Sequence, residues 1–346
     1  MKKISFIIPV YNCAEYLAQC VRSIQEVNID CYEIILVNDG STDESGYVCE
    51  QLSNTYNTIK YVFQKNQGVS AARNQGLTVA EGDFVMFLDA DDMIEPPKLF
   101  RLLQKLEKNS DIDIAIFGHS FDYYHDKRLY RRDEMQTPLI GVNGSNLWIQ
   151  KIWELYSTNS LNPIWNKVFK RSFLIDNELY FRRDMFLYED LEYSLRCIVH
   201  CENILFEPDI IYHYRQSEGT VLRLKRISHI PIIIREIEKA LDNLLIAKQE
   251  VEKRNVTEKI VVTLYLILAR EKISVSNLKE IGTVCDDFAV WFCDRNYQGF
   301  RSEQAFIDTL LKHRVANLVA RRYYTALRHK IAVKVKSSAF YKKRIN

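Results

Sequence analysis

Three carboxylates, Asp89, Asp91 and Asp92, stand directly after the apolar run Phe84-Val85-Met86-Phe87-Leu88. A short run of large apolar side chains reads as a buried strand of a mostly parallel sheet. Ala90 lies between Asp89 and Asp91, so an extended backbone points both carboxylates the same way. Carboxylates crowded at one strand end repel each other unless something positive sits between them. The simplest occupant is a hard divalent cation, which prefers oxygen ligands and keeps a phosphate as co-ligand. A solvated acidic turn is the plainer reading of the same residues. A second acidic pair, Glu189-Asp190, opens a predicted helix, where acids face the positive end of the helix dipole.

The elements that must position these groups alternate. Strands are predicted at 4–10, 33–37, 59–63, 84–88 and 112–117, each followed by a helical stretch except the last. Asn12 with Glu15 resembles a capping box for a helix to about Ile24. The turn Asn38-Asp39-Gly40-Ser41-Thr42-Asp43 caps the next helix, Gly68-Val69-Ser70 opens a third, and Pro96-Pro97 begins a fourth. This alternation argues for a parallel sheet covered on both faces. Ligands of such sheets bind at the carboxyl ends of the strands, and those ends carry Tyr11, Asp39, Gln67 and Asp89. Residues 119–137 read as a hairpin or mobile loop. A helix is expected over 145–156, another after Pro163-Ile164-Trp165-Asn166-Lys167, and a third from Tyr188 to His200. Short strands follow at 204–206 and 210–214. From about Arg226 the sequence turns helical, with heptad-like spacing of Ile233, Ile237, Ala240, Leu241 and Leu244.

The chain has 346 residues, 47% of them hydrophobic, enough for one large domain with an appendage or for two domains. Its net charge of +2 hides an asymmetry: residues 1–308 carry 36 bases against 45 acids, while 309–346 carry eleven bases and no acid. A split of this kind suggests a basic arm that meets an anionic surface. The eight cysteines form no CxxC pair, which argues against zinc. With no signal peptide apparent at Met1-Lys2-Lys3, they are expected to be free thiols in a reducing cytosol. The longest apolar run, 260–269, is too short to span a bilayer.

Five motifs occur in order: Ser5-Phe6-Ile7-Ile8-Pro9-Val10-Tyr11-Asn12; Val37-Asn38-Asp39-Gly40-Ser41-Thr42-Asp43; Gln67-Gly68-Val69-Ser70-Ala71-Ala72-Arg73-Asn74; Leu88-Asp89-Ala90-Asp91-Asp92; and Glu189-Asp190. Together they resemble a family 2 glycosyltransferase of the bacterial surface-polysaccharide type, over about residues 3–220. Asn38 stands where that family often has Asp, and Ala90 where Ser is common. The resemblance implies the GT-A fold: an α/β, Rossmann-like, mostly parallel sheet flanked by helices, with a C-terminal helical extension. It implies a catalytic domain over 1–222, with a donor-binding half to about 117 and an acceptor-side half from 118, and a helical region with a basic tail over 223–346.

A nucleotide-sugar needs its base held, its diphosphate neutralised and its sugar carbon exposed. Tyr11 offers an aromatic face for the base, and Asp39 can accept the imide N–H of uracil. By resemblance, Pro9, Gln67, Arg73 and Ala90 join them on the donor side, with Arg73 at the base. Asp89 would reach the ribose and the ligand shell of Mg2+ or Mn2+, and Asp91 would ligate that ion. Asp190 is the expected general base of an inverting displacement, with Glu189 orienting it or touching the acceptor. Arg215 is expected to clamp phosphate and His213 to complete the metal shell. Trp165, Asn166 and Lys167 are expected to line the acceptor side. The partners implied are a nucleotide-sugar, a UDP-sugar by preference, and a glycan or polyprenyl-linked acceptor.

Other classes lack their signatures. No GxGxxG follows the first strand, as a dinucleotide-binding oxidoreductase requires, and no P-loop is present. A sugar-phosphate nucleotidyltransferase would carry a glycine-rich loop where Tyr11-Asn12-Cys13-Ala14 stands. A catalytically silent nucleotide-sugar-binding module would be expected to lack a carboxylate at Asp91 or Asp190. The basic tail interleaves Arg321 and Arg328 with Leu318, Val319, Tyr323 and Leu327, the pattern of a helix lying in a membrane interface. It shows no nucleic-acid motif, so the expected location is cytoplasmic, peripheral at the inner face of the membrane.

Overall fold

The structure, a computed structural model, describes residues 3–144, 151–185, 187–217 and 230–247. The chain divides into two compact units, Met1–Thr220 and Val221–Asn346. In the first, β1 (Ile4–Val10), β2 (Tyr32–Asp39), β3 (Ile59–Gln64) and β4 (Phe84–Phe87) run parallel in the order β3-β2-β1-β4. β2 is buried along almost its whole length, which is why its sequence Tyr-Glu-Ile-Ile-Leu-Val-Asn-Asp shows no in-out alternation. The sheet continues through β9 (Lys167–Lys170), β6 (Ile114–His125), β10 (Asn203–Ser217) and β5 (Met93–Ile94). β9 is antiparallel to β4 and β6, whereas β10 is parallel to β6. β7 (Arg128–Met135) pairs with β6, and β8 (Gly141–Gly144) with β10.

The helices of this unit are α1 (Ala14–Gln25), α2 (Ser45–Thr55), α3 (Val69–Val79), α4 (Pro96–Lys108), α5 (Ile152–Ser157), α6 (Arg171–Asp176) and α7 (Glu189–His200). α1 buries Leu17, Cys20, Val21 and Ile24, and α4 buries Leu99, Leu102, Leu103 and Leu106, the spacing of one helical face. These faces close over Phe6, Ile8, Leu36 and Met86 of the sheet. In the second unit, α8 (Ile230–Ala247) buries Ile234, Ile237, Leu241 and Leu244.

Strand order reverses between β1 and β4, which opens a crevice at their carboxyl ends. Pro9 sits at that opening. Ile7 O accepts from Leu88 N, so alternate residues of β1 face β4, and Pro9 is the next of them. β4 has ended there, and the missing N–H of Pro9 leaves no ladder partner unsatisfied.

Several local expectations give way to longer-range partners. Asn12 does not cap α1: its φ is 52°, and its side chain accepts from Thr42 N. The α1 start is instead met from the loop after β2 and the first residue of α2, with Cys13 N donating to Ser45 Oγ at 2.7 Å and Ala14 N to Asp43 Oδ2 at 3.3 Å. The stretch after Pro163 enters a strand, β9, before the short helix α6, because the gap between β4 and β6 takes Val168 and Phe169. The two short strands expected at 204–214 are one strand, β10, bulged around Pro208. Gly118 permits this, since a Cβ there would lie 2.7 Å from the Pro208 carbonyl. Residues 119–137 form a hairpin, turning at Asp126 and Lys127 with φ of 46° and 62°. The six described cysteines are free thiols. No helix among the described residues is long and apolar enough to cross a membrane. The start of the helix expected at 145, the apolar run 260–269, Cys285, Cys293 and the basic tail 309–346 lie outside the described residues.

At the amino end of β2, opposite the crevice, Glu33 gathers Ser5 Oγ at 2.7 Å, the Glu81 amide at 2.8 Å and the ammonium groups of Lys60 and Lys3 at 2.8 and 3.3 Å. Burial pushes its pKa up, but Lys60, Ser5, the Glu81 amide and Lys3 outweigh burial and bring it down to about 2. A carboxylate depressed in the fold stabilises above its unfolded value and loses that contribution as pH falls through its folded one. Glu33→Gln is therefore expected to cost up to about 3 kcal/mol at pH 7. Its stability, measured by urea unfolding from pH 7 to pH 2, should fall less steeply below pH 5 than that of the wild type.

Candidate active site

β4 ends at Phe87, and the chain turns through Asp89–Asp92, closed by Asp92 N donating to Asp89 O. β10 holds this turn. Tyr212 Oη donates to Asp92 Oδ2 at 2.6 Å and accepts from Asp89 N at 3.1 Å. Arg215 N donates to Asp92 Oδ1 at 2.7 Å, and its Nε to the Asp91 carbonyl at 2.9 Å. Asp92 is thus a buried anchor, and Ala90 is buried beside it. Burial pushes Asp92 well up; it also raises Asp91, and carries Asp89 to about 6 against the pull of Arg73.

Asp89 and Asp91 remain as the open carboxylates. No side chain among the described residues hydrogen-bonds the Asp91 carboxylate, since Arg215 takes only its carbonyl, and no third His, Cys, Asp or Glu completes a cage with the pair. Such a pair fits Mg2+ or Mn2+ arriving with a diphosphate, since these ions are held by one or two carboxylates plus phosphate oxygens. It does not fit an ion held by protein alone.

Arg73, on α3, joins the two acidic motifs. Its Nη2 donates to Asp89 Oδ1 at 3.1 Å, its Nη1 to Asp190 Oδ1 at 2.5 Å, and Glu189 Oε1 lies 3.9 Å away. The guanidinium is 3% exposed and sits 5.2 Å over the Phe181 ring. Asn74 fixes Phe181 by exchanging two hydrogen bonds with its backbone, at 2.7 and 2.8 Å. Phe181 in turn stacks on Tyr193 of α7 at 3.8 Å. Arg73 therefore ends buried among the carboxylates and not on a solvated helix face. Glu189 and Asp190 start α7 after Tyr188, whose φ is 57°. Burial first, then the neighbouring Asp190, push Glu189 up to about 7.

At the end of β2, Asp39 accepts from Gln67 N and Gly68 N at 2.8 Å each and from Gln64 Nε2 at 2.7 Å. The carboxylate shapes the loop that leads into α3. Gly68, at φ 90°, supplies a conformation that a side chain rarely adopts. Tyr11, directly after β1, is 52% exposed.

Five expected site residues have other partners in the structure. His213 does not reach the acidic turn: its Nδ1 meets Ser120 Oγ at 2.8 Å and its Nε2 meets Glu95 Oε2 at 3.2 Å. Both of its ring nitrogens are thereby engaged. Arg215 is not poised as a phosphate clamp. It bonds the Asp91 carbonyl and Gln19 Oε1 and lies between the rings of Tyr16 and Tyr124, at 4.6 and 4.1 Å. Asn166 and Lys167 face inward: Lys167 Nζ donates to the carbonyls of Ser160, Leu161 and Pro163 and to Asn166 Oδ1. A buried ammonium has three donors to satisfy, and this loop satisfies them. Trp165 is 5% exposed and stacks on Tyr212 at 4.4 Å and Tyr214 at 5.3 Å, supporting the strand that grips Asp92. The sequence reading gives no role to Tyr212, Phe181 or Asn74. Their hydrogen-bond partners lie more than 100 residues away, where no local spacing signals them.

Residues 5–173 match the family model described as Glycosyl transferase family 2. GlyG, a glycosyltransferase of Streptococcus pneumoniae serotype 4, is 30% identical over 229 residues, covering 64% of this chain and 73% of GlyG. The EpsH protein of Bacillus subtilis (strain 168) is 28% identical over 222 residues, covering 64% of this chain and 62% of EpsH, less than two thirds of its length. The crystal structure of S. aureus TarS residues 1–349, in complex with UDP-GlcNAc, superposes with a TM-score of 0.65 at 19% identity, over 84% of this chain and 81% of that one. That likeness shows the fold.

The inward position of Lys167 makes it a stability residue. Lys167→Met strands carbonyl acceptors in the core and is expected to destabilise the protein by about 3 kcal/mol. Urea midpoints should shift accordingly, with acceptor KM unchanged. A raised acceptor KM at an unshifted midpoint would restore the acceptor-side role.

Proposed function

This chain belongs to glycosyl transferase family 2, and from that premise we propose that it moves a sugar from a nucleotide-diphosphate sugar to a hydroxyl acceptor with inversion at the anomeric carbon. The observation that carries the reading is the joining of Asp89 to Asp190 through the buried Arg73. It sets a candidate general base beside a candidate diphosphate site.

Tyr11, Pro9, Asp39 and Gln67 border the donor base at the ends of β1 to β3, and a uridine donor suits the acceptor atoms of Asp39. TarS carrying UDP-GlcNAc supports a nucleotide-sugar of that kind. Asp91, with Asp89, would hold Mg2+ or Mn2+; the ion would act as a Lewis acid toward the departing diphosphate. Asp190 takes the proton of the acceptor hydroxyl. Arg73 bonds its Oδ1 and so orients the carboxylate, whose other oxygen can face the acceptor. Glu189 stands beside it, and burial with the neighbouring Asp190 favours its protonated form, which limits the negative charge packed around Arg73. The acceptor class is a glycan or lipid-linked oligosaccharide of a surface polysaccharide. Attachment through the basic segment 309–346 to an anionic inner membrane belongs to the same proposal and rests on its charge alone.

Two variants separate the roles. Asp91→Ala is expected to lose metal-dependent UDP binding, read by thermal shift, together with transfer. Asp190→Asn should keep UDP affinity while kcat falls by about a hundredfold or more, because a general base acts in the transition state. Loss of donor binding in step with turnover in Asp190→Asn would count against the assignment, as would a product that retains the anomeric configuration.

A further inference from the structure

The β6–β7 hairpin carries a row of side chains that the reaction above does not use. Strand alternation sets His119, Phe121 and Tyr123 on one face of β6. Their register partners on β10 are Tyr212, Tyr214 and Gln216. Across β7, Asp133 stands opposite Phe121, and Arg131 opposite Tyr123. The rings follow one another outward. Trp165 stacks on Tyr214 at 5.3 Å, Tyr214 meets Phe121 edge-on at 5.8 Å, and Tyr123 meets Tyr130 at 6.3 Å. Exposure rises along the row, from 5% at Trp165 to 62% at Tyr130.

The inner end of the row adjoins the acidic centre. Tyr212 bonds Asp92, and Tyr214 feels the charges of Asp89, Asp92, Asp91 and Asp190, which add to burial in raising its phenol pKa. The outer end interleaves polar groups with the rings. Arg131 lies 5.0 Å over the Tyr123 ring and pairs with Asp133 at 2.5 Å, while Gln216 is half-buried beside Tyr123. One ligand chemistry matches this surface. A pyranose has an apolar C–H face that stacks on an aromatic ring, and edge hydroxyls that bond planar amide, guanidinium and carboxylate groups.

We infer that this row is the track of the acceptor glycan. Tyr130 and Tyr123 hold sugar rings remote from the reaction, Arg131, Asp133 and Gln216 hold their hydroxyls, and Phe121 and Tyr214 lead the reacting end toward Asp190. The inference rests on the glycosyl-transfer reading and extends it to an acceptor several sugars long. A lipid surface fits the row less well, because Asp133 lies within it and an anionic leaflet repels a carboxylate.

The full-length protein and the variants Tyr130→Ala, Tyr123→Ala with Tyr130→Ala, and Asp133→Asn test it. Tyr130 is exposed, so its removal leaves the core intact. The probes are four hexasaccharides of the cello-, malto-, laminari- and chito- series, titrated by saturation-transfer NMR, with UDP titrated in parallel. The wild type should bind at least one hexasaccharide, about tenfold weaker in Tyr130→Ala and weaker still in the double variant, with UDP affinity unchanged. Binding of no hexasaccharide, or equal binding by all variants, would overturn the track. So would loss in the variants of sedimentation with phosphatidylglycerol vesicles in place of oligosaccharide binding. UDP separates the two readings: a track that fails while UDP still binds condemns the track alone, whereas a wild type that binds no UDP condemns the transfer reading itself.

Discussion

Arg73 between Asp89 and Asp190 is the contact on which the centre depends. The three residues come from α3, from the turn after β4 and from the start of α7, and Asp190 lies 117 positions from Arg73. A guanidinium at 3% exposure has lost nearly all of its water. Only carboxylates at hydrogen-bond distance offset that cost, and removing either would leave a buried charge with one partner. The pair also fixes geometry. It sets the turn that carries Asp91 at a defined separation from the helix that carries Asp190. α3 can deliver Arg73 there because it lies close on β1: a Cβ at Gly76 would come within 2.3 Å of Ile7 Cγ2.

A second set of contacts keeps the acidic turn from relaxing. Three crowded carboxylates would spread apart in a free loop. Here Asp92 is spent on Tyr212 and on the Arg215 amide, which removes it from competition for a cation and leaves Asp89 and Asp91 open. The grip is rigid because Trp165 stacks on both tyrosines of β10, and Asn166 and Lys167 tie the loop that carries Trp165. On the far face of β10, His213, Ser120, Asp122 and Arg132 form a connected polar cluster, with Arg132 bidentate to Asp122 at 2.6 and 2.8 Å. That cluster holds β10, β6 and β7 in register and so sets the slope of the aromatic row.

Much of this was legible in the sequence for a simple reason. Buried parallel strands announce themselves by continuous apolar runs, and ligand groups gather at their carboxyl ends. The first four strands, the helices between them and the polar residues Tyr11, Asp39 and Asp89 follow from local pattern. Asp89, Asp91 and the Glu189-Asp190 pair stood out because like charges packed together need a reason. β9 was missed because Val168 and Phe169 adopt a strand only to fill a gap between strands more than 50 positions away in the chain. The Asn12 cap was misread because its acceptor finds Thr42, thirty residues on.

The sequence by itself determined which groups stand at the strand ends and which charges are crowded, since those are properties of runs and alternation. Tertiary structure alone decided how the groups divide the work. It brought Arg73 against two acids, set Tyr212 on Asp92, Ser120 on His213 and buried carbonyls on Lys167, and aligned aromatic residues of β6, β7 and β10 into one row. Burial is the physical reason: a charged or ring side chain that loses water takes whichever partner the fold brings within reach, and that partner is set by packing between distant segments rather than by neighbours along the chain.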